Sequence, residues 1–187
     1  DTLVRSLKKQ GMKFLFGTRV NSAVSGGTEL KVSTSGPSGE QEISCDRILV
    51  AVGRRPLIEG LGLEEAAVAV DGSGRISVDE NYQTSIAGIY AIGDLIHGPM
   101  LAHKASEEGV VFVERLHGEG SKTEYEYLPG VCYTWPEAAS VGKTEEQLKS
   151  EGAEYSAGRF NFLANGRARC MDETDGFVKI LAHAETG

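Results

Sequence analysis

Apolar residues recur along this chain with two different spacings, one typical of helices and one typical of strands. Apolar spacing of the helical kind over residues 2–10, closed by Gly11, predicts an amphipathic helix. Between residues 19 and 45, short alternating apolar runs are separated by turns rich in Gly and Ser. That pattern predicts an antiparallel meander or a hairpin. Further short strands are predicted at residues 14–16, 67–70 and 76–78.

Two continuous apolar runs, residues 48–52 and 89–92, predict strands covered on both faces. Each run ends in glycine and a charged residue, Gly53-Arg54 and Gly93-Asp94. Ligands of open α/β sheets bind beyond the carboxyl ends of strands, and glycine lets a ligand approach the backbone closely. Both ends are therefore candidate ligand sites. Two alternatives stay open: a turn carboxylate that caps its own loop at Asp94, and surface or interdomain salt bridges at Arg54.

The second half of the chain carries clearer start and stop signals. Residues 101–116 have helical apolar spacing, with Pro99 suited to the first turn and Gly118 to the C-terminal end. Thr144 and Gln147 form the pattern of a capping box, which predicts a short helix. Strand positions are predicted at Tyr155, Phe160, Phe162 and 177–181, and a domain boundary near Gly130.

Charge and composition exclude several classes of protein. The chain has 187 residues and a formal net charge of −8, and it has no basic run, so nucleic acid is not expected as a partner. No apolar run approaches the roughly 18 residues of a membrane span, and no signal peptide is expected, because residues 1–5 do not begin an apolar run. The missing initiator Met indicates a chain that starts within a longer protein. The three cysteines are far apart, so neither a metal site nor a local redox pair is expected.

Several stretches in order resemble the pyridine nucleotide-disulfide oxidoreductases. Residues 84–94 and the run Gly-Pro-Met-Leu-Ala-His-Lys-Ala at 98–105 resemble their flavin-binding stretch, and the run is close to that of dihydrolipoyl dehydrogenases. Residues 52–56 are similar to the link that follows the NAD domain. Stretches similar to the dimerisation domain lie at 133–137, 141–142, 165–168 and 175–179.

The resemblance implies a fold of mixed class, α/β and α+β. One part belongs to an FAD/NAD(P) fold with two dinucleotide-binding domains, and the rest begins an α+β dimerisation domain. The implied domains are the end of an NAD-binding domain at 1–54, an FAD-binding or central segment at 55–130, and the start of the dimerisation domain at 131–187. Gly53 is implied to contact NAD and Asp94 the ribityl chain of FAD. The flavin is implied to be lined, mainly through backbone, by Met100, Leu101, Ala102 and His103.

The implied activity is the reoxidation of dihydrolipoamide through a redox disulfide and FAD, with reduction of NAD. Implied partners are a second copy of the chain and the lipoyl domains of 2-oxo acid dehydrogenase complexes or of the glycine cleavage system. The implied compartment is the bacterial cytoplasm or the mitochondrial matrix. No catalytic residue is expected within 1–187, because neither a Cys-x4-Cys pair nor the family's His-Glu pair occurs there. The alternatives are a mercuric or glutathione reductase, or a noncatalytic dimerisation or interaction module.

Overall fold

The first helix and the meander form where the apolar spacing predicts them. In the computed structural model, which describes residues 2–120 and 122–187, helix α1 spans Thr2–Lys9 and buries Ser6 and Leu7. The meander is an antiparallel sheet in the order β1-β2-β3. Its strands are Arg19–Ser25, Leu30–Gly36 and Gly39–Cys45. Both predictions are confirmed.

The two other predicted helices also form. Helix α2 spans Ala102–Leu116, so Pro99 lies before the helix and the prediction that it occupies the first turn is wrong. Helix α3 spans Glu145–Glu151 and begins with the predicted capping box. There the Thr144 hydroxyl accepts the backbone N–H of Gln147 at 3.2 Å, and the Gln147 side-chain oxygen accepts the backbone N–H of Thr144 at 2.7 Å. Two of the helix's first N–H groups are thereby satisfied.

The remaining regular elements are short strands and one short helix. Strand β6, Tyr155–Asn161, and strand β7, Phe177–His183, pair antiparallel, with Tyr155 opposite His183 and Asn161 opposite Phe177. Phe162 lies in a 3-10 turn after β6, so its predicted strand position is wrong. The bounds of these elements are Gly130–Cys132 for β4, Ala138–Ser140 for β5, Tyr155–Asn161 for β6, Gly166–Cys170 for α4 and Phe177–His183 for β7.

The strands predicted at 14–16 and 48–52 are absent from the part of the chain that the structure describes. Leu49 is 91% exposed and Val52 is 92% exposed, so the expectation of a run covered on both faces is also wrong. A strand needs a neighbouring strand to pair its backbone N–H and C=O groups. No described strand pairs with either segment.

Three other predicted strands are reduced to single bridges. Residue pairs Val70–Ile76, Val78–Thr84 and Gln83–Tyr90 each form one antiparallel bridge without a continuing ladder. The strand predictions at 67–70, 76–78 and 89–92 are therefore wrong in extent. Turns in this region take up other backbone hydrogen bonds locally: the N–H of Ile89 bonds to the carbonyl of Ile86 at 3.1 Å.

The chain forms two compact units. The first unit contains residues 2–52, Tyr133–Ala138 and Tyr155–Gly187, and the second contains Gly53–Cys132 and Ala139–Glu154. The predicted domain bounds of 1–54, 55–130 and 131–187 stay a prediction. Within residues 2–120 and 122–187, no helix has the length and apolar character to cross a bilayer. The buried apolar cluster of the second unit consists of Val68, Ile76, Tyr82, Ala91, Ile96 and Val111.

Candidate functional site

The core of the second unit supports a tight turn at Gly93 and Asp94. Ala91 before the turn and Ile96 after it are both buried in the apolar cluster. Gly93 has a φ of +73°, a left-handed conformation that costs other residues free energy. A 3-10 turn follows over Gly93–Leu95. The Asp94 side chain stays 46% exposed, so its carboxylate can accept hydrogen bonds from a ligand.

Arg54 brings three of the regions predicted as ligand sites together. One guanidinium nitrogen of Arg54 lies 4.0 Å from the Asp94 carboxylate. The other terminal nitrogen donates a hydrogen bond to the backbone carbonyl of Met100. Arg54 therefore makes a surface salt bridge within the second unit. A surface salt bridge is one of the alternatives predicted for this residue. Gly53, directly before it, is exposed.

The beginning of helix α2 lies beside this arginine. Leu101 is its N-terminal cap residue and makes no side-chain hydrogen bond to the helix, so the first backbone N–H groups have no such partner. Aligned peptide dipoles place about half a positive charge at such an end. Ala102 and His103 are exposed, and Met100 and Leu101 are partly buried. This end of the helix suits a partner that carries or develops negative charge.

A buried ion pair, which the sequence motifs did not predict, contacts the backbone of the turn at Gly93. Lys104 and Glu108 are both fully buried, and their Nζ and Oε1 atoms lie 2.9 Å apart. Glu108 Oε2 accepts the backbone N–H of Gly93 at 2.6 Å. Lys104 Nζ donates to the Gly93 carbonyl at 2.8 Å. A sequence signal existed, because residues 104, 108 and 111 share one helical face, and Val111 is an apolar core residue.

Tyr125 completes the environment of this pair. Its hydroxyl donates to Glu108 Oε1 at 2.6 Å. Burial, together with the hydrogen bond to this carboxylate, raises the pKa of the Tyr125 phenol above its ordinary value. Two residues before Tyr125, the hydroxyl of Thr123 lies 2.7 Å from the Tyr82 hydroxyl and forms a second hydrogen bond. Residues 123–125 are thus attached to the core of the second unit by two side-chain hydrogen bonds.

Gly98 leaves the space that the Lys104 side chain occupies. A Cβ atom added to Gly98 would lie 3.0 Å from Lys104 Cε and 3.4 Å from the Tyr125 ring. The residue also has a φ of +101°, which other residues rarely adopt. The Gly98 carbonyl accepts a hydrogen bond from Arg75 at 3.0 Å. Both the backbone geometry and the packing therefore require glycine here.

The first unit has cavities of its own, and none of the predicted site residues lines them. One has a volume of about 440 Å³ and is bordered by α1 and the β6-β7 sheet. Asp175 lies at its edge, 3.1 Å from Lys9 Nζ and 3.2 Å from the Ser6 hydroxyl. The hydrogen bond and charge of Lys9 lower the pKa of the Asp175 carboxyl. These groups therefore satisfy one another through hydrogen bonds.

Comparison with known proteins gives two family matches. Residues 1–109 match the family described as pyridine nucleotide-disulphide oxidoreductase. Residues 128–187 match the dimerisation domain of the same family.

Two curated relatives are about half identical to this chain. Dihydrolipoyl dehydrogenase 2, mitochondrial, of Arabidopsis thaliana is 50% identical over 184 residues, which cover 97% of this chain and 36% of the relative. Dihydrolipoyl dehydrogenase of Cupriavidus necator is 48% identical over 183 residues, with 97% and 39% covered. The chain therefore spans little more than a third of the length of these relatives.

A solved structure shares the fold. The HOCl-induced flavoprotein disulfide reductase RclA of Escherichia coli, in its Cu(II) complex, matches with a TM-score of 0.89 and 26% identity. The match covers 100% of this chain and 42% of that one. The predicted fold class, an FAD/NAD(P) fold followed by the start of a dimerisation domain, is confirmed by these likenesses. This chain belongs to the pyridine nucleotide-disulphide oxidoreductase family.

Proposed function

We propose that this chain is part of a dihydrolipoyl dehydrogenase and that its second unit supplies contacts to FAD. Relatives with that name are 47–50% identical over 97% of the chain, well above the 26% identity to the flavoprotein disulfide reductase RclA. The observation that carries the site is the contact of Arg54 with both the Asp94 carboxylate and the Met100 carbonyl. It joins the glycine turn to the start of α2.

The residues at this place suit a flavin dinucleotide. The half-exposed Asp94 carboxylate can accept hydrogen bonds from the hydroxyls of a ribityl chain. Met100, Leu101, Ala102 and His103 would line the flavin through their backbone, where the N–H groups at the start of α2 favour negative charge. Gly53 would contact NAD. FAD, when bound, supplies the chemistry that carries two electrons from an enzyme dithiol to NAD.

The overall reaction balances without a further oxidant. Dihydrolipoamide loses two electrons and two protons as its two thiols become a disulfide. NAD⁺ takes up a hydride, and one proton is released. Residues 1–187 contain no Cys-x4-Cys pair, so we assign no catalytic residue among them. Their proposed part is to bind and orient the cofactors.

The proposed partners follow from the same assignment. A second copy of the chain would pair through the segment that matches the dimerisation domain, residues 128–187. The lipoyl domain of a 2-oxo acid dehydrogenase complex, or the lipoyl protein of the glycine cleavage system, would deliver dihydrolipoamide. The proposed compartment is the bacterial cytoplasm or the mitochondrial matrix.

The test uses a polypeptide of the relatives' full length that carries this sequence. We expect the purified protein to be yellow, to show flavin absorbance and to reduce NAD⁺ with dihydrolipoamide. Asp94→Ala should weaken FAD binding by about tenfold or more, because a hydrogen bond to a charged group contributes about 1.5–3 kcal/mol. Glu107→Ala, which removes an exposed carboxylate from α2, is the matched control. Equal FAD affinity in the two variants would contradict the role of Asp94.

A related flavin disulfide reductase is the second candidate function, favoured by the likeness to RclA. The candidates of this type are a mercuric reductase and a glutathione reductase. Assays of the same full-length polypeptide with glutathione disulfide and with Hg(II), each with a reduced nicotinamide cofactor, separate them from the first candidate. Turnover of either substrate without turnover of dihydrolipoamide would favour the second candidate. Absence of any flavin would instead favour a noncatalytic interaction module.

A further inference from the structure

Both backbone polar groups of Gly93 are bound by side chains of one helix. Its N–H is held by Glu108 Oε2 at 2.6 Å, and its carbonyl by Lys104 Nζ at 2.8 Å. The two side chains are one helical turn apart and contact each other at 2.9 Å. The closed set of contacts fixes the peptide groups on either side of Gly93. Asp94 follows directly, so its backbone direction is fixed with them.

The burial of this pair calls for a physical reason. Lys104 and Glu108 are 0% exposed, and moving two charges out of water carries a desolvation cost of several kcal/mol for each ion. Two apolar side chains of similar volume are often as stabilising at such a position, or more so. An apolar pair, however, would leave the N–H and carbonyl of Gly93 without partners. The ion pair satisfies them and itself, and no buried side-chain polar atom among the described residues lacks a partner.

We infer that Lys104 and Glu108 are positioning residues, which hold the Gly93-Asp94 turn in the conformation that presents the Asp94 carboxylate to the flavin. The inference rests on the proposed function. Neither side chain can touch the ligand from its buried position, so both act through the Gly93 backbone. Tyr125 belongs to the same hydrogen-bonded group, because its hydroxyl donates to Glu108 Oε1, the oxygen that also contacts Lys104. The carboxylate of Glu108 thereby accepts hydrogen bonds from Gly93, Lys104 and Tyr125.

The main test is the double substitution Lys104→Met with Glu108→Gln in the full-length polypeptide. Met removes the donor to the Gly93 carbonyl, and Gln keeps an acceptor for the Gly93 N–H without a buried net charge. We expect FAD to bind about tenfold more weakly, as for the loss of a hydrogen bond from a charged donor. We also expect the visible spectrum of the bound flavin to shift at saturating FAD. The denaturant midpoint of the flavin-free protein should fall only slightly, because removing two buried charges offsets the cost of the unpaired Gly93 carbonyl.

The matched control is Lys149→Met with Glu145→Gln in α3. That pair has the same helical spacing and a separation of 3.3 Å, and its lysine is 65% exposed. It should leave FAD affinity and the flavin spectrum unchanged. FAD affinity of the Lys104/Glu108 variant within twofold of the unmodified protein, with an unshifted spectrum, would overturn the inference while leaving the proposed function intact. An unmodified full-length polypeptide that binds no FAD would overturn both.

A milder substitution covers the case in which the double variant does not fold. Tyr125→Phe removes one hydrogen bond to Glu108 and keeps the ring. We expect FAD release to become about fivefold faster, because one such bond contributes about 1 kcal/mol. Tyr127→Phe, at an exposed ring two residues along, should leave the release rate unchanged. Equal release rates for Tyr125→Phe and the unmodified protein would count against the inference even without the double variant.

Discussion

Residues 48–53 and residues 89–93 are both apolar stretches that end in glycine, and their surroundings differ. In the first stretch, Leu49 and Val52 are more than nine-tenths exposed, and no described strand pairs with it. In the second, the backbone of Ala91 bonds to Tyr82 and that of Gly93 to the Lys104-Glu108 pair. Apolar character alone does not order a stretch of chain. Partners for its backbone polar groups, and a surface to pack on, decide whether it becomes part of a core.

The largest expected effect comes from the core that supports the second stretch. Ile96 is 1% exposed and belongs to the apolar cluster beneath the turn. Ile96→Ala should lower the free energy of unfolding by about 2–5 kcal/mol, because it removes buried methyl groups and leaves a cavity. Chemical denaturation of the 187-residue chain measures this. A loss below about 1 kcal/mol would mean that the cluster does not pack as the structure describes.

A smaller effect is expected from alkaline pH at Tyr125. Its pKa is raised in the folded chain, so its contribution to stability is complete below the pKa of the unfolded chain, about 10. The contribution is lost as the pH rises through the folded value. The unfolding temperature should therefore fall above about pH 10, and Tyr125→Phe should remove that part of the fall. Tyr127→Phe, at an exposed ring, serves as the control. Identical pH profiles for the two variants would contradict the expectation.

Helices and local turns of this fold could be predicted from the sequence, because their signals are local. The capping box at Thr144 needs only residues three apart, and the meander at 19–45 needs only neighbouring strands. The run at 48–52 needs a strand from elsewhere, so its pattern could not tell whether it would be paired. Non-local partners are the information that one stretch of sequence does not contain.

In the candidate site, too, some residues could be predicted from the sequence and others could not. The end of its apolar run indicates Asp94 as a candidate, and the family resemblance implies Met100; the contact of Arg54 with both adds a geometric link between them. The Lys104-Glu108 pair was missed, since two charges one helical turn apart usually indicate a solvated face. The one sign of their burial in the sequence is that they share a helix face with the apolar Val111. Charged residues are rarely fully buried, so this sign is weak.

The smallest expected effect sharpens the comparison from its exposed side. Leu49→Ala makes the same kind of truncation as Ile96→Ala, at a side chain that is 91% exposed. It should change the free energy of unfolding of the 187-residue chain by no more than about 0.5 kcal/mol. In a polypeptide of the relatives' length, a neighbouring strand that covered residues 48–52 would raise the cost to about 2–5 kcal/mol. Denaturation of both polypeptides, each with and without the substitution, gives the two differences. A cost above about 1 kcal/mol in the 187-residue chain would show that Leu49 is already packed there, and the contrast between the two stretches would then not hold.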